Sequence, residues 1–458
     1  MQSPAASAAV PVPETPHVPA SVPDSTPAPE MKRPAPLFEF PKEASELLRS
    51  CVHCGLCLGA CPTYRELGNE NDSPRGRLYI MKALSDGRLQ PEPDVTHHLD
   101  LCLDCRACET ACPSGVQYGQ ILESARASLV EAKPPGVIAR AARWFFFRQV
   151  LARPSVLSIV TKLLRFNQTS GARGLVHRLG LMKLVPKRLR ELEAQQPELK
   201  EIAFLENAPD VFPAAGAEPK QRVAFFAGCV MDRFMGNIHR DTVKVLQAYG
   251  VEVHAVKGQN CCGALMVHAG DVATAKPLAR ENIAAFKGLD VDAIVNNSAG
   301  CGAQLKEYTH LLHDDEAKAF SAKVKDVSEI LAKLEPVKPL KSLNGKRVTY
   351  DAPCHLMHAQ KVVAPPLTVL QRIPGINFVA LPDAEFCCGA AGIYNMLQPE
   401  MANKVLDRKI QAIKETGAEI VVTGNPGCLM QIRNGCQAAG LTCEVLHPME
   451  LLARVVDA

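Results

Sequence analysis

The sequence predicts a multi-domain chain: a mainly α-helical domain, a basic helical connector, and two repeated α/β domains. Three observations predict it. Two cysteine runs of one spacing, at residues 51–62 and 102–113, are embedded in helical sequence. From Ala132 to Arg190 there are 13 Lys or Arg and not one Asp or Glu. From Gln221 onward, strand and helix patterns alternate and then repeat, with cysteines at matched places. The length of 458 residues is enough for about three domains with their own cores.

Taken in order, residues 1–36 hold ten prolines with Ala, Ser and Val between them. That composition buries no core and is expected to be a disordered tail. It lacks the basic start and apolar run of an export signal. Met31, near its end, is an alternative start for the chain. No run of 18 or more apolar residues is present, so no membrane-spanning helix is expected. A formal net charge of +3 is too small to argue for nucleic acid as a partner.

The domain at 37–132 is organised by the two runs. They read Cys51-Val-His-Cys54-Gly-Leu-Cys57-Leu-Gly-Ala-Cys61-Pro62 and Cys102-Leu-Asp-Cys105-Arg-Ala-Cys108-Glu-Thr-Ala-Cys112-Pro113. Both are C-x2-C-x2-C-x3-C-P, the spacing that holds [4Fe–4S] cubanes in bacterial-type ferredoxins. Three thiolates in one loop cap three corners of a cube, and the fourth points away to ligate the other cluster. The expected ligand sets are therefore Cys51, Cys54, Cys57 and Cys112 for one cluster, and Cys102, Cys105, Cys108 and Cys61 for the second. Zinc also uses C-x2-C pairs, but it takes two separated pairs and has no use for a third cysteine and Cys-Pro in each run. Pro74 to Leu84, Asp94 to Leu101 and Tyr118 to Ala132 read as helices, with Pro74 in a first turn. Hence a mainly α-helical, ferredoxin-type two-cluster domain is expected.

The connector, 133–219, includes apolar patches such as Trp144-Phe145-Phe146-Phe147 amid its positive charge. It is either a solvated helical link or a basic amphipathic surface for an anionic membrane or acidic partner.

In the first repeat, 220–340, strands at Arg222 to Ala227, Val251 to Val256 and Ala293 to Asn296 lead to Cys229, Cys261-Cys262-Gly263 and Cys301. In the second, 341–458, Arg347 to Tyr350, Phe378 to Leu381 and Glu419 to Thr423 lead to Cys354, Cys387-Cys388-Gly389 and Cys428. The cysteine offsets are 125, 126 and 127 residues, an internal duplication. Ligands bind at the carboxyl ends of strands in open parallel sheets. Each repeat should therefore bring four thiols to one crevice, a further metal or redox site. Sixteen of 18 cysteines fall in these four clusters, which points to metal ligation in a reducing compartment. Cys436 and Cys443 remain, as ordinary buried thiols.

The paired Cys…Cys-Cys-Gly…Cys units resemble the cysteine-rich CCG domains of heterodisulfide reductase and of respiratory iron–sulfur subunits. With the two runs ahead of them and Asn71-Asp72-Ser73-Pro74-Arg75-Gly76-Arg77 between the runs, residues 37–458 resemble the glycolate oxidase iron–sulfur subunit family. The resemblance implies an electron-transfer subunit that is not catalytic alone. FAD-containing partner subunits would oxidise glycolate, and electrons would pass singly to a quinone at the cytoplasmic face of the inner membrane. Subunits for lactate or glycerol 3-phosphate oxidation share the architecture, and a thiol–disulfide enzyme is the other reading. The chain departs from the full CCG motif, with Gln304 and Gln431 where a last cysteine would stand; a neutral amide is a poor replacement for thiolate on iron. His355 and His358 could supply an imidazole, although satisfied histidines are the commoner case. No G-x-G-x-x-G or G-x-x-x-x-G-K-[ST] is present, so the flavin belongs to a partner.

Overall fold

The computed structural model describes residues 40–457 apart from most of 171–202 and residue 217. The expected tail and the end of the basic stretch lie outside the described residues.

The first domain is helical, as the cysteine spacing and the segments between the runs lead one to expect. Its helices are α1 (Lys42–Leu48), α2 (Pro62–Leu67), α3 (Pro74–Ser85), α4 (Pro93–Asp100), α5 (Ala107–Thr110) and α6 (Tyr118–Ala132). Proline opens α2, α3 and α4, where the missing N–H has no intrahelical partner to lose. Ser73 caps α3 by accepting from the Gly76 N–H, satisfying one orphan donor. Leu48, Leu78, Met81, Leu84, Leu99, Ile121 and Leu122 form the core that fixes these helices around the two cysteine loops.

The connector is helical too: α7 (Val137–Arg143), a π-helical stretch (Trp144–Leu151) and α8 (Pro154–Thr169). Phe147 and Leu151 pack with Met266, Val267 and Leu278, so one face is nailed to the first repeat.

The repeats form two sheets. The first has the order β1-β3-β2-β4-β5, with β1 (Val211–Phe212) antiparallel to β3 (Val251–Ala255) and the others, β2 (Gln221–Phe225), β4 (Ala293–Asn296) and β5 (Val324–Asp326), parallel. The second, β7-β6-β8-β9, is all parallel: β6 (Arg347–Asp351), β7 (Asn377–Phe378), β8 (Ile420–Thr423) and β9 (Glu444–Leu446). Leaving out β1, the orders correspond strand for strand, which is the duplication in three dimensions. β4 and β8 are buried at every residue, as strands covered on both faces must be. Two details differ from expectation. The first sheet takes in β1, and Phe204 joins its core, ahead of a boundary at 220. The strand expected over Phe378 to Leu381 is the two-residue edge β7. Strands this short carry no alternation to read.

The repeats are not separate bodies. Val223, Phe225 and Leu246 of the first share one core with Val348, Leu370, Met449 and Leu452 of the second. Lys244 donates from Nζ to the Ala453 carbonyl at 2.9 Å, and the buried His447 Nε2–H donates to the Asn297 carbonyl at 2.9 Å.

Candidate metal centres and the cavity between the repeats

The two runs fold alike. His53 and Gly55 in the first, and Asp104 and Arg106 in the second, all have positive φ, between 52° and 85°. Left-handed backbone at a side-chain-bearing residue costs about 1–3 kcal/mol. It persists at matching places because three thiols spaced by two residues converge only if the chain coils this tightly. The Asp104 N–H donates to Cys102 Sγ at 3.4 Å.

The fourth cysteine of each run crosses over. Cys51, Cys54, Cys57 and Cys112 line one small void. Cys61, Cys102, Cys105 and Cys108 line another, and Cys108 borders both. Each void brings together at least four thiols, as many as a cubane has irons. Their surroundings differ. Cys54 is exposed, whereas all four thiols of the second set are buried. Burial and neighbouring thiols push Cys105 and Cys108 well above the usual thiol range. Such thiols ionise only where a metal compensates, which suits a cluster site.

The segment Asn71–Arg77 supplies a cation to each loop. Arg75 NH1 donates to the His53 carbonyl at 3.2 Å beside the first set. Arg77, fully buried, lies 3.8 Å from Cys61 Sγ, donates to the His98 carbonyl at 2.6 Å and pairs with Asp72 at 3.6 Å. Gly76 between them admits no side chain: a Cβ would stand 1.9 Å from the Glu70 carbonyl oxygen. The sequence drew attention to this segment without showing what its arginines touch.

In the repeats, Cys229, Cys261-Cys262 and Cys301 follow β2, β3 and β4, and Cys354, Cys387-Cys388 and Cys428 follow β6, β7 and β8. Within each set successive thiols, Cys229, Cys261, Cys262 and Cys301, and Cys354, Cys387, Cys388 and Cys428, shift one another's ionisation. Hydrogen bonds from flanking thiols drive Cys261 and Cys388 well below the usual range. Gly389, at φ 86°, would put a Cβ 2.4 Å from the Ala402 carbonyl oxygen of the helix Pro399–Thr416, so the Cys-Cys-Gly turn requires glycine.

The two sets face one another. The Ala299 N–H donates to the Gly424 carbonyl at 3.2 Å, and the Gly300 N–H to Asn425 Oδ1 at 3.1 Å. All eight thiols line one cavity of about 730 Å³. Cys102 and Asp104, from the buried cysteine loop of the first domain, line it as well. Gln304 and Gln431 are buried but are not among its lining residues. Gln431 Oε1 accepts from Asn395 Nδ2 at 2.9 Å. His355 lines the cavity and donates from Nε2 to the Asp104 carbonyl at 2.9 Å; burial takes it down to about 4. His358 is satisfied structurally, with Nε2–H on the Glu385 carbonyl and Nδ1 on the Thr110 hydroxyl. Cys436 and Cys443 are not isolated thiols: each shifts the other's ionisation.

A buried charge cluster, absent from the sequence reading, joins the first domain to the first repeat. Arg106 pairs with Glu123 at 2.8 Å, with Asp104 at 3.7 Å and with Glu307. His268 Nδ1 lies 3.1 Å from Asp104 Oδ2 and 3.0 Å from Glu123 Oε1. Asp104, Glu123 and His268 are spaced to hold a cation, yet Arg106 already supplies positive charge there. Burial alone would lower the His268 pKa, but the two carboxylates carry it up to about 9. An unfolded histidine titrates near 6.5. The contribution to stability is therefore full below about pH 6.5 and is lost as pH rises through about 9. Between pH 7 and 10, the melting temperature is expected to fall further in the native chain than in His268→Gln; equal falls would contradict the pairing.

Known families cover most of the chain. A profile described as a 4Fe-4S dicluster domain matches residues 47–116. One described as the linker region of glycolate oxidase iron-sulfur subunit matches 138–195. The cysteine-rich CCG domain matches twice, at 223–306 and 348–433. A probable glycolate oxidase iron-sulfur subunit of Bacillus subtilis is 41% identical over 432 residues, covering 92% of this chain and 97% of its own. The glycolate oxidase iron-sulfur subunit of Escherichia coli is 33% identical over 425 residues, 91% of this chain and 96% of its own. Lactate utilization protein A of Geobacillus thermodenitrificans is 30% identical over 236 residues, half of this chain and 98% of its own.

Proposed function

Because the chain belongs to the family of glycolate oxidase iron–sulfur subunits and carries two [4Fe–4S] clusters, we propose that it relays electrons from FAD-containing partner subunits toward a membrane quinone. The clusters supply one-electron transfer with little change of geometry. Cys51, Cys54, Cys57 and Cys112 would hold one, and Cys61, Cys102, Cys105 and Cys108 the other. The observation that carries the reading is the asymmetry of the two sets. One reaches the surface at Cys54 beside the exposed Val52 and Leu56, and the other is buried with Cys102 in the wall of the inter-repeat cavity. A partner can approach the first, while the second leads inward. The eight cysteines of the repeats form a further metal or redox site, and an additional iron–sulfur cluster is the cofactor class their thiols fit.

The test is to purify the protein from its native host without oxygen and add glycolate. Bleaching of the clusters with a co-purifying flavoprotein is the expected result, and the same assay with D-lactate and glycerol 3-phosphate assigns the donor. Clusters that dithionite reduces but all three donors leave unchanged would overturn the reading.

The connector supports a peripheral place at the cytoplasmic face of the membrane. No helix among the described residues is long and apolar enough to cross one. Ile159, Leu163 and Phe166 recur at i, i+4 and i+7 as an exposed stripe of α8, and Ile138, Trp144 and Phe145 are exposed nearby in sequence. Arg140, Arg153 and Lys162 are exposed in the same segments. Apolar side chains flanked by cations are what an anionic bilayer surface takes up. Each large apolar side chain buried is worth roughly 1.5–3 kcal/mol. Replacing Ile138, Trp144 and Phe145 with serine should therefore weaken co-sedimentation with phosphatidylglycerol vesicles about tenfold or more. Unchanged binding would assign the surface to a protein partner.

A further inference from the structure

We propose that the cavity between the repeats is a quinone-binding site in which the ring lies against the apolar wall and His268 donates to one carbonyl oxygen. The inference rests on the electron-relay reading and adds where the acceptor binds. Three observations carry it.

The first is the composition of the wall. Beyond the thiols, Leu129, Val130, Leu265, Ile393, Tyr394 and Leu397 line the cavity. Small-molecule sites are apolar with a few polar groups placed to orient the ligand, and the cavity of about 730 Å³ is shared between the ring and the group that the eight thiols hold.

The second is the supply of free donors. Most polar side chains in the wall are already spent. Arg126 donates to the carbonyls of His268, Leu99 and Cys102. Tyr394 donates from its hydroxyl to the Leu101 carbonyl at 2.8 Å, and His355 to that of Asp104. Arg143 is bound to the Ala269 carbonyl. The half-buried Gln398 amide and His268 are left. His268 Nδ1 is engaged by Asp104 and Glu123, which fixes the ring and leaves Nε2–H for a ligand. A carbonyl oxygen accepts such a bond; an aliphatic chain cannot.

The third is access. The lining residues Pro93, Lys133 and Leu397 are exposed, so the cavity opens among them. Lys133 and Arg143 place its edge at the start of the basic segment proposed to lie on the membrane. An apolar acceptor dissolved in the bilayer could reach the site without crossing bulk water.

The reaction balances with what the relay reading provides. Oxidation of a 2-hydroxy acid to a 2-oxo acid on the flavoprotein partner releases two electrons and two protons. Conversion of both quinone carbonyls to hydroxyls consumes two electrons and two protons, the latter taken from solvent at the cavity mouth.

The experiment uses the cluster-loaded, anaerobically purified protein and ubiquinone-1, with affinity read by calorimetry and contact mapped with an azidoquinone by mass spectrometry. Native protein is expected to bind, with the label on Leu129–Lys133, Ala264–His268 or Ile393–Gln398. Leu265→Trp should weaken binding at least tenfold. Leu397→Trp, at an exposed position that does not threaten folding, should weaken it severalfold. His268→Gln, whose amide still donates, should retain more affinity than His268→Ala. Normal iron content in each variant certifies the fold. Unaltered affinity in both tryptophan variants, or label confined elsewhere, would overturn the site. Failure of glycolate to bleach the clusters would instead remove the relay reading, and calorimetry would still report on the site.

Discussion

Replacing Cys61 with serine is expected to damage the cluster held by the other run. Cys61 lies in the C-x2-C-x2-C-x3-C-P run of residues 51–62, yet its thiol borders the void of Cys102, Cys105 and Cys108. The variant should lose about four irons per chain, the content of one cubane. The signal that remains should belong to the exposed set. Cys112→Ser should do the converse and spare the buried set. Iron analysis with electron paramagnetic resonance of the reduced protein separates the two. Loss of the exposed cluster on replacing Cys61 would show that each run holds its own fourth ligand. The buried set should also suffer more, because Cys61 Sγ accepts from Thr63 or donates to it at 3.2 Å and stands beside Arg77. Losing the cluster there leaves the guanidinium among neutral thiols, without the anionic charge it offsets.

Replacing Arg106 with methionine is expected to destabilise the chain by about 3–5 kcal/mol, the usual cost of removing one partner of a buried ion pair. Arg106 is buried against Asp104, Glu123 and Glu307. Burial alone would lower its pKa, but the three carboxylates raise it well above the ordinary arginine value. Without it these groups remain desolvated, and they can respond only by taking up protons. Burial already raises the Glu307 pKa, and losing the cation raises it further. Protonated carboxyls shed the penalty, so the stability gap between variant and native protein should narrow as pH falls from 7 to 5. Urea unfolding at both values measures it. A gap below about 1 kcal/mol at pH 7, the level of a surface ion pair, would show that the cluster is hydrated.

Much of this protein was legible in one dimension because its signals are local. A C-x2-C-x2-C loop takes its shape from residues within one turn, so the spacing alone pointed to two [4Fe–4S] clusters. Helix α3 was readable from Pro74 for the same reason: proline in a first turn acts on its own turn alone. The duplication survived as cysteine offsets, and the strands β2, β3, β4, β6 and β8 were apolar runs ending at those cysteines. Such features are decided by neighbours in the chain.

The tertiary structure decided what depends on distant pairs. Arg106 meets Glu307 across 201 residues, and His268 meets Glu123 across 145. No periodicity records such a contact, because a buried charge and a solvated one are written with the same letter. Only packing desolvates the charge, and desolvation makes its partner obligatory. The apposition of the two cysteine sets is of the same kind. That each repeat gathers four thiols at its strand ends is written in its cysteine spacing. That the eight share one cavity, walled by Cys102 of the first domain, follows from the hydrophobic core common to both sheets. Val223 and Val348 are buried together there, and burying that surface locks the repeats face to face.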